Sequence, residues 1–408
     1  MIAALAPSVG GAQDMPMVFV PLIAATLAAT TPAAHASVTF ADRQILHQRS
    51  EGRANRATGR ATRADDPVRI ASISKLAVAL AVMRLVDAGT LDLDRDASLY
   101  LGWPLRHPGF PDAPITLRML LSHTASVRDG ADYALKLDDD LPTHLRQAAA
   151  WDGAHTPGGY FSYANLNFPI VAAIMEGATG ERFDRLMQRL VFAPLKIDAC
   201  FNWALCTNRA VRHAVTLYRA DGSVARDDLH GTRPACPGSA AHDGSCDLAT
   251  YRLARNGAFF SPQGGMRISM TGLARLGMAL DGAVTGFLRP ASLQAMTTPQ
   301  WRFDGSNGDT ERGFYCGYGL GVMLIALPGR PAACRDDPFG DNRPRIGHAG
   351  DAYGLKSGLW IDAVTKHGIA FFVSAIPDDA PTGPRSAFTA AEENAIAGRA
   401  RSAASARK

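Results

Sequence analysis

The sequence predicts an α+β fold in which the first and last strand-rich segments share one sheet. The order of patterns carries this: short alternating segments come first, a helix-patterned middle follows, and strand formers close on a final helix. With 408 residues there is ample chain for a sizeable core. No repeat of solenoid period is present.

The elements follow in order. Met17 to Ala25 is apolar and leads through a Thr/Ala run to Ala34-His35-Ala36, a small-x-small cleavage pattern. Residues 1–36 read as a secretory signal with a mature start near Ser37, although the stretch lacks Lys and Arg and contains Asp14. Pro21 and the Thr/Ala run make a poor spanning helix, so no stable membrane span is expected. Ser37 to Gln44 and Ile45 to Arg49 alternate as two short strands, with a turn at Ala41-Asp42-Arg43. Ser72 to Ala88 is apolar almost all round, as in a buried helix, and Gly89 stops it. Ile115 to about Val191 reads as helices and loops, with helical periodicity over Pro169–Glu176 and Phe183–Val191. Asp198 to Phe260 is rich in Gly, Asp and Arg and reads as an excursion. Thr271 to Leu280 is helical. Gly317–Ala326, His348–Ile361 and Gly368–Ile376 read as successive antiparallel strands, and Thr389–Ala403 as a final helix.

Composition narrows the function. A formal charge of +4 with no long basic run argues against nucleic acid as a partner. No group of His, Asp, Glu or Cys has metal-ligand spacing, so neither metal nor cofactor is expected. The six cysteines are even in number, which allows fifteen connectivities. The sequential pairs Cys200–Cys206, Cys236–Cys246 and Cys316–Cys334 close short loops and are the simplest choice. Structural disulfides imply an oxidising compartment, periplasmic or extracellular.

Ser72-Ile73-Ser74-Lys75 stands at the head of the buried helix. Its spacing puts a hydroxyl and an amine one turn apart on one face. A lysine entering a core must find a partner or give up its proton, and a lysine so tuned can activate a serine nucleophile. Of 42 basic residues only six are lysine, so a lysine at this position is informative. Arginine, used nearly everywhere else, cannot act as a base at ordinary pH.

Three further segments stand in order behind this motif: Leu120-Leu121-Ser122-His123-Thr124, Pro157-Gly158-Gly159 followed by Tyr163-Ala164-Asn165, and His348-Ala349-Gly350. Together they resemble the penicillin-recognising serine hydrolases: class C β-lactamases, serine D-alanyl-D-alanine carboxypeptidases and related esterases. The resemblance runs from about Val38 to the chain's end. It implies a β-lactamase/transpeptidase-like domain over 37–408: an antiparallel sheet flanked by helices, with an inserted all-helical subdomain over roughly 100–260 and the active site in the groove between. It implies Ser72 as nucleophile and Lys75 and Tyr163 as its proton-transfer partners, with the choice of base between them open. Asn165, His348, Gly350 and Asp351 would bind substrate, with the backbone N–H groups of Ser72 and Asp351 as the oxyanion hole. His123 would be structural.

Three departures stand out. The family carries a helix before the first hairpin, which a start at Ser37 would remove. Ala125-Ser126 replaces the usual Ser-Gly. His348 replaces the lysine of many β-lactamases, exchanging a permanent charge for one that depends on pH. That exchange points to an amidase, peptidase or esterase acting on a small molecule or short peptide through an acyl-enzyme. A β-lactamase proper is the alternative within the class, and a non-catalytic ligand- or protein-binding relative the alternative outside it.

Overall fold

The computed structural model describes residues 34–405, so most of the segment read as a signal lies outside the described residues. Nine strands form one antiparallel sheet: β1 (Ala34–Ala41), β2 (Gln44–Asn55), β3 (Arg60–Ala61), β4 (Trp301–Arg302), β5 (Gly317–Tyr318), β6 (Met323–Ile325), β7 (Arg345–Ala352), β8 (Leu355–Asp362) and β9 (Gly368–Val373). Their order is β3-β2-β1-β9-β8-β7-β6-β5-β4, so the first and last strand-rich segments do meet, with Val38 opposite Ala370. Asp42 and Arg43 turn the first hairpin, both with positive φ. The start read at Ser37 falls inside β1, where Ala36 pairs with Phe372 and Ser50. The segment His348–Ile361 divides into β7 and β8 at Tyr353-Gly354.

Alternation along the strands builds two cores. Val38, Phe40, Leu359, Ala370 and Phe372 face one way and join the main core, which α1 (Ser74–Asp87), α2 (Leu117–Leu121), α3 (Asn167–Thr179) and α4 (Met270–Leu280) complete. Trp360, Ile369 and Phe371 face the other way, against Phe388 and Ile396 of the C-terminal segment. Helix α5 (Pro290–Thr297) and α6 (Ala390–Ser405) complete the flanking layers. In α1 every residue from Ser74 to Met83 is buried, which fits its unbroken apolar run. Each large apolar side chain there contributes about 1.5–3 kcal/mol relative to exposure.

From Ile115 to Val191 the chain is helices and loops, as its pattern predicts, and Asp198–Phe260 contains little regular structure. The stretch read as helix over Phe183–Val191 is split, with a π turn from Gln188 to Phe192. The six cysteines pair sequentially: Cys200 with Cys206, Cys236 with Cys246, and Cys316 with Cys334. No described helix is long and apolar enough to cross a membrane.

Candidate active site

Ser72 sits on a sharp turn between a strand end and α1. Ile70 donates to the carbonyl of Met266 at 3.0 Å, and Ala71 then adopts φ +54°. A left-handed alanine costs roughly 1 kcal/mol, and Ser74 stabilises the turn: its Oγ donates to the Ala71 carbonyl at 2.6 Å and accepts from the Met266 N–H at 3.0 Å. The turn leaves Ser72 partly exposed between buried neighbours.

Lys75 is wholly buried one turn later. Its Nζ donates to Ser72 Oγ at 3.0 Å, to Asn165 Oδ1 at 2.8 Å and to the Gln263 carbonyl at 2.8 Å. Burial pulls its pKa down to about 7, with Asp129 opposing. An amine so held is neutral in a large fraction of molecules at neutral pH and can take a proton.

Tyr163 lies beside this pair, its ring centroid 4.9 Å from Lys75 Nζ. The ring is stacked between His123, at 4.4 Å, and Tyr315, at 4.9 Å. Its hydroxyl is buried and makes no hydrogen bond of ordinary geometry among the described residues. Burial pushes this phenol well above its usual range, and the Ser72 hydroxyl opposes the shift only in part. Tyr163 is therefore a protonated phenol at rest, suited to passing a proton on. His123 is buried, and its Nδ1 accepts from the Ala164 N–H at 3.1 Å and lies 3.0 Å from Asn167 Nδ2. Burial, with Lys75 and His348 adding, holds its pKa well below the ordinary value. It is a neutral support for Tyr163, as its structural reading predicts.

Asn165 is braced by a residue the sequence reading missed. The Asp129 carboxylate accepts from Asn165 Nδ2 at 2.9 Å, from the Asn165 N–H at 2.8 Å and from the Leu166 N–H at 2.9 Å. It thereby anchors the segment leading into α3 and fixes which way the Asn165 amide faces. Tyr315 and the Gln263 carbonyl were missed as well. All three reach the site through tertiary approach.

The β7 residues differ from expectation. His348 does not line the groove: it is buried, its Nε2 lies 2.8 Å from the Tyr318 hydroxyl, and its Nδ1 faces the Ala349 carbonyl. Burial, with Lys75 adding, lowers its pKa to about 3, so it offers no pH-dependent charge near neutrality. Gly350 serves the protein's own backbone rather than a substrate's. A Cβ there would stand 2.3 Å from Ser357 Oγ and 2.4 Å from the Ile70 carbonyl. Ser357 Oγ also donates to that carbonyl at 3.0 Å, tying β8 to the Ser72 turn. The Asp351 side chain pairs with Lys356, its cross-strand neighbour, on the opposite face of the sheet from Gly350. Gly350→Ala is expected to lower the melting temperature, by the equivalent of roughly 1–3 kcal/mol, and to reduce turnover with it. Thermal unfolding and kcat measured on one preparation check this.

At the surface, Asp138, Asp139 and His242 approach one another, a grouping the sequence spacing did not show. Lys136 Nζ lies 3.3 Å from one His242 ring nitrogen and Asp139 lies 2.9 Å from the other, so that ring is already engaged.

Known proteins resemble this chain in sequence and in fold. A family model described as Beta-lactamase matches residues 26–392. The chain is 29% identical over 329 residues to esterase EstB of Burkholderia gladioli, across 75% of this chain and 76% of that protein. It is 30% identical over 139 residues to the D-alanyl-D-alanine-carboxypeptidase/endopeptidase AmpH of Escherichia coli (strain K12), across 32% of this chain and 35% of AmpH. Among solved structures, the D-amino acid amidase from Ochrobactrum anthropi SV3 aligns with a TM-score of 0.63 at 16% identity, covering 92% of this chain and 95% of that one. At that identity the likeness speaks for the fold alone.

Proposed function

Because this chain belongs to the beta-lactamase family and is a serine hydrolase of that fold, we propose that it cleaves ester bonds, and more slowly amide bonds, through an acyl-enzyme on Ser72. The observation that carries the reading is the buried Lys75 ammonium site, 3.0 Å from Ser72 Oγ and fixed by Asn165 and Gln263. In this reading neutral Lys75 takes the Ser72 proton as Oγ attacks the substrate carbonyl. The backbone N–H groups of Ser72 and Asp351 receive the oxyanion. Tyr163, beside Ser72, gives its proton to the departing oxygen or nitrogen and is reprotonated from Lys75. Water then releases the acyl group by the reverse relay. Of the two candidate bases, Lys75 is favoured, because burial lowers its pKa while it raises that of Tyr163.

The substrate order rests on two supports. EstB, an esterase, matches over most of its length. A neutral, buried His348 supplies no cation where many β-lactamases place a lysine, which disfavours a dedicated β-lactamase. The assembled Ser72, Lys75 and Tyr163 favour turnover over passive binding. Three cysteine pairs support an oxidising compartment, so we place the protein in the periplasm or outside the cell.

Intact-mass spectrometry with a fluorophosphonate and a penicillin, followed by peptide mapping, tests this. Both labels are expected on Ser72, with short esters turned over faster than D-Ala-D-Ala peptides or a cephalosporin. Labelling at another residue, or none, would refute the assignment.

A further inference from the structure

The carbonyl that receives Lys75 belongs to a turn that is held from its far side. Ser261 has φ +50°, and the N–H groups of Gly264 and Gly265 both donate to its carbonyl, at 3.1 and 2.6 Å. The turn presents the Gln263 carbonyl to Lys75 Nζ at 2.8 Å. Three residues on, Met266 bonds the Ser72 turn through both its backbone groups. Its N–H donates to Ser74 Oγ and its carbonyl accepts from the Ile70 N–H, each at 3.0 Å. The short stretch from Gln263 to Met266 therefore carries three contacts to the head of α1. A carbonyl on a loop is only as well placed as the loop, so whatever fixes this turn bears on Lys75.

Asn202 fixes it. Its Nδ2 donates to the Phe259 carbonyl at 3.0 Å and to Ser261 Oγ at 2.9 Å, at the start of the turn. Its backbone N–H donates to the Gly265 carbonyl at 3.1 Å, and its Oδ1 accepts from Arg267 Nη1 at 2.8 Å, at the end of the turn. One buried residue thus ties both ends together. The fit is close, since a Cβ on Gly265 would stand 2.9 Å from Asn202 Oδ1. Arg267 closes the clamp. Its Nη1 also donates to the Gly265 carbonyl at 2.8 Å, while Asp227 accepts from its Nη2 at 2.8 Å and its Nε at 3.2 Å. Asn202 and Trp203 are both left-handed, with φ +45° and +67°, inside the loop that Cys200 and Cys206 close. A tryptophan rarely adopts that conformation, and it persists only where the surroundings enforce it. Here Trp203 lies under the Arg267 guanidinium, 4.9 Å from ring centroid to cation, and donates from Nε1 to Asp227 at 3.1 Å.

We propose that Asn202, backed by Arg267, is a positioning residue of this hydrolase: it fixes the Gln263 carbonyl against Lys75 and so sets how tightly the base holds its proton. The proposal rests on Lys75 being the base for Ser72. An acceptor aimed at an ammonium favours the charged form. Loosening the turn weakens that bond, so Lys75 should give up its proton at lower pH and lie less squarely behind Ser72. The other titratable groups around Lys75 are Asp129, Tyr163, His123 and His348. Among the described residues, none of them hydrogen-bonds Asn202, Arg267 or the Ser261–Gly265 turn. A change at Asn202 therefore reaches Lys75 through the Gln263 carbonyl.

Lysine titration reads this directly, because the chain has only six lysines. With lysine isotopically labelled at Cε, NMR should show Lys75 titrating near pH 7, its signal assigned by its loss in Lys75→Arg. Asn202→Gly removes the amide and tolerates the left-handed backbone. It should move that midpoint down by about one pH unit. The rising limb of kcat/KM should move with it, and the plateau should fall by roughly tenfold. Ser261→Ala removes one of the Asn202 bonds and should give a smaller shift in the same direction, which keeps the test open if Asn202→Gly fails to fold. Val38→Ala, a core truncation on β1, should lower the melting temperature and leave the midpoint and the limb in place. A Lys75 midpoint that stays put or rises in the folded variants overturns the proposal. So does a plateau that falls with no shift of the midpoint, the mark of destabilisation alone. Absence of hydrolysis and of Ser72 labelling in the wild type, with the Lys75 shift intact, would instead strike the hydrolase reading.

Discussion

Ser72→Ala is expected to lower hydrolysis of every substrate by roughly four to six orders of magnitude, the usual effect of removing a serine nucleophile. The fold should survive. Ser72 is partly exposed, and the one side-chain hydrogen bond it receives comes from Lys75 Nζ. When Oγ is removed, Lys75 keeps the Asn165 and Gln263 oxygens at 2.8 Å, so no buried donor loses its last partner. The strained turn is also independent of the nucleophile, because Ser74 and the Ile70–Met266 bond hold it. The change in stability should therefore stay within about 1 kcal/mol. Steady-state assays, fluorophosphonate labelling and circular dichroism on the same preparation decide the matter. A folded Ser72→Ala protein with wild-type turnover would place the nucleophile elsewhere.

Contrast Ser74→Ala, two residues on. Ser74 bonds both the Ala71 carbonyl and the Met266 N–H while wholly buried, so this change disturbs the turn itself. Nothing in Ser-x-x-Lys distinguishes the two serines except spacing to Lys75, and it is the Ser72 Oγ that stands 3.0 Å from Lys75 Nζ. A helix repeat of 3.6 residues brings positions three apart onto one face. The same logic made α1 legible, since an apolar run without a polar stripe has to be buried all round. The hairpin turn at Asp42-Arg43 was legible because the strands on either side alternate. Legibility ended where a residue acts by arriving from elsewhere in the chain. Asp129 braces Asn165 from 36 positions away, and nothing around Arg128-Asp129-Gly130 marks it. Tyr315 reads as an ordinary aromatic until its ring is found stacked on Tyr163. His348 was misread for a related reason. A histidine's charge depends on its surroundings, and neither Tyr318 beneath it nor its burial is written in His-Ala-Gly.

Those neutral histidines sharpen the last prediction. His123 and His348 are both held far below neutrality by burial, so neither titrates in the working range. With Tyr163 pushed upward, Lys75 is the group of this set poised near pH 7. It acts as a base only when neutral, so kcat/KM should rise with pH along one limb centred near 7 and level off above it. A falling limb there would reverse the roles. Lys75→Arg keeps a cation but cannot take a proton at these pH values, and its planar fork must enter a wholly buried space shaped for an ammonium. It should lose roughly 10²-fold or more of the activity and the limb with it, whereas Lys136→Arg, at the surface, should do neither. Tyr163→Phe then separates chemistry from packing. Phenylalanine preserves the stack between His123 and Tyr315. The hydroxyl it removes has no ordinary hydrogen bond to lose, so the melting temperature should hold or rise. Turnover should nonetheless fall by roughly 10²- to 10⁴-fold, the contribution of a positioned acid–base group. A buried aromatic serving only the core would give the opposite pattern, with full activity retained. Full activity in both Tyr163→Phe and Lys75→Arg would mean that Ser72 is activated by another group, and the relay through Lys75 and Tyr163 would have to be abandoned even though the fold stands.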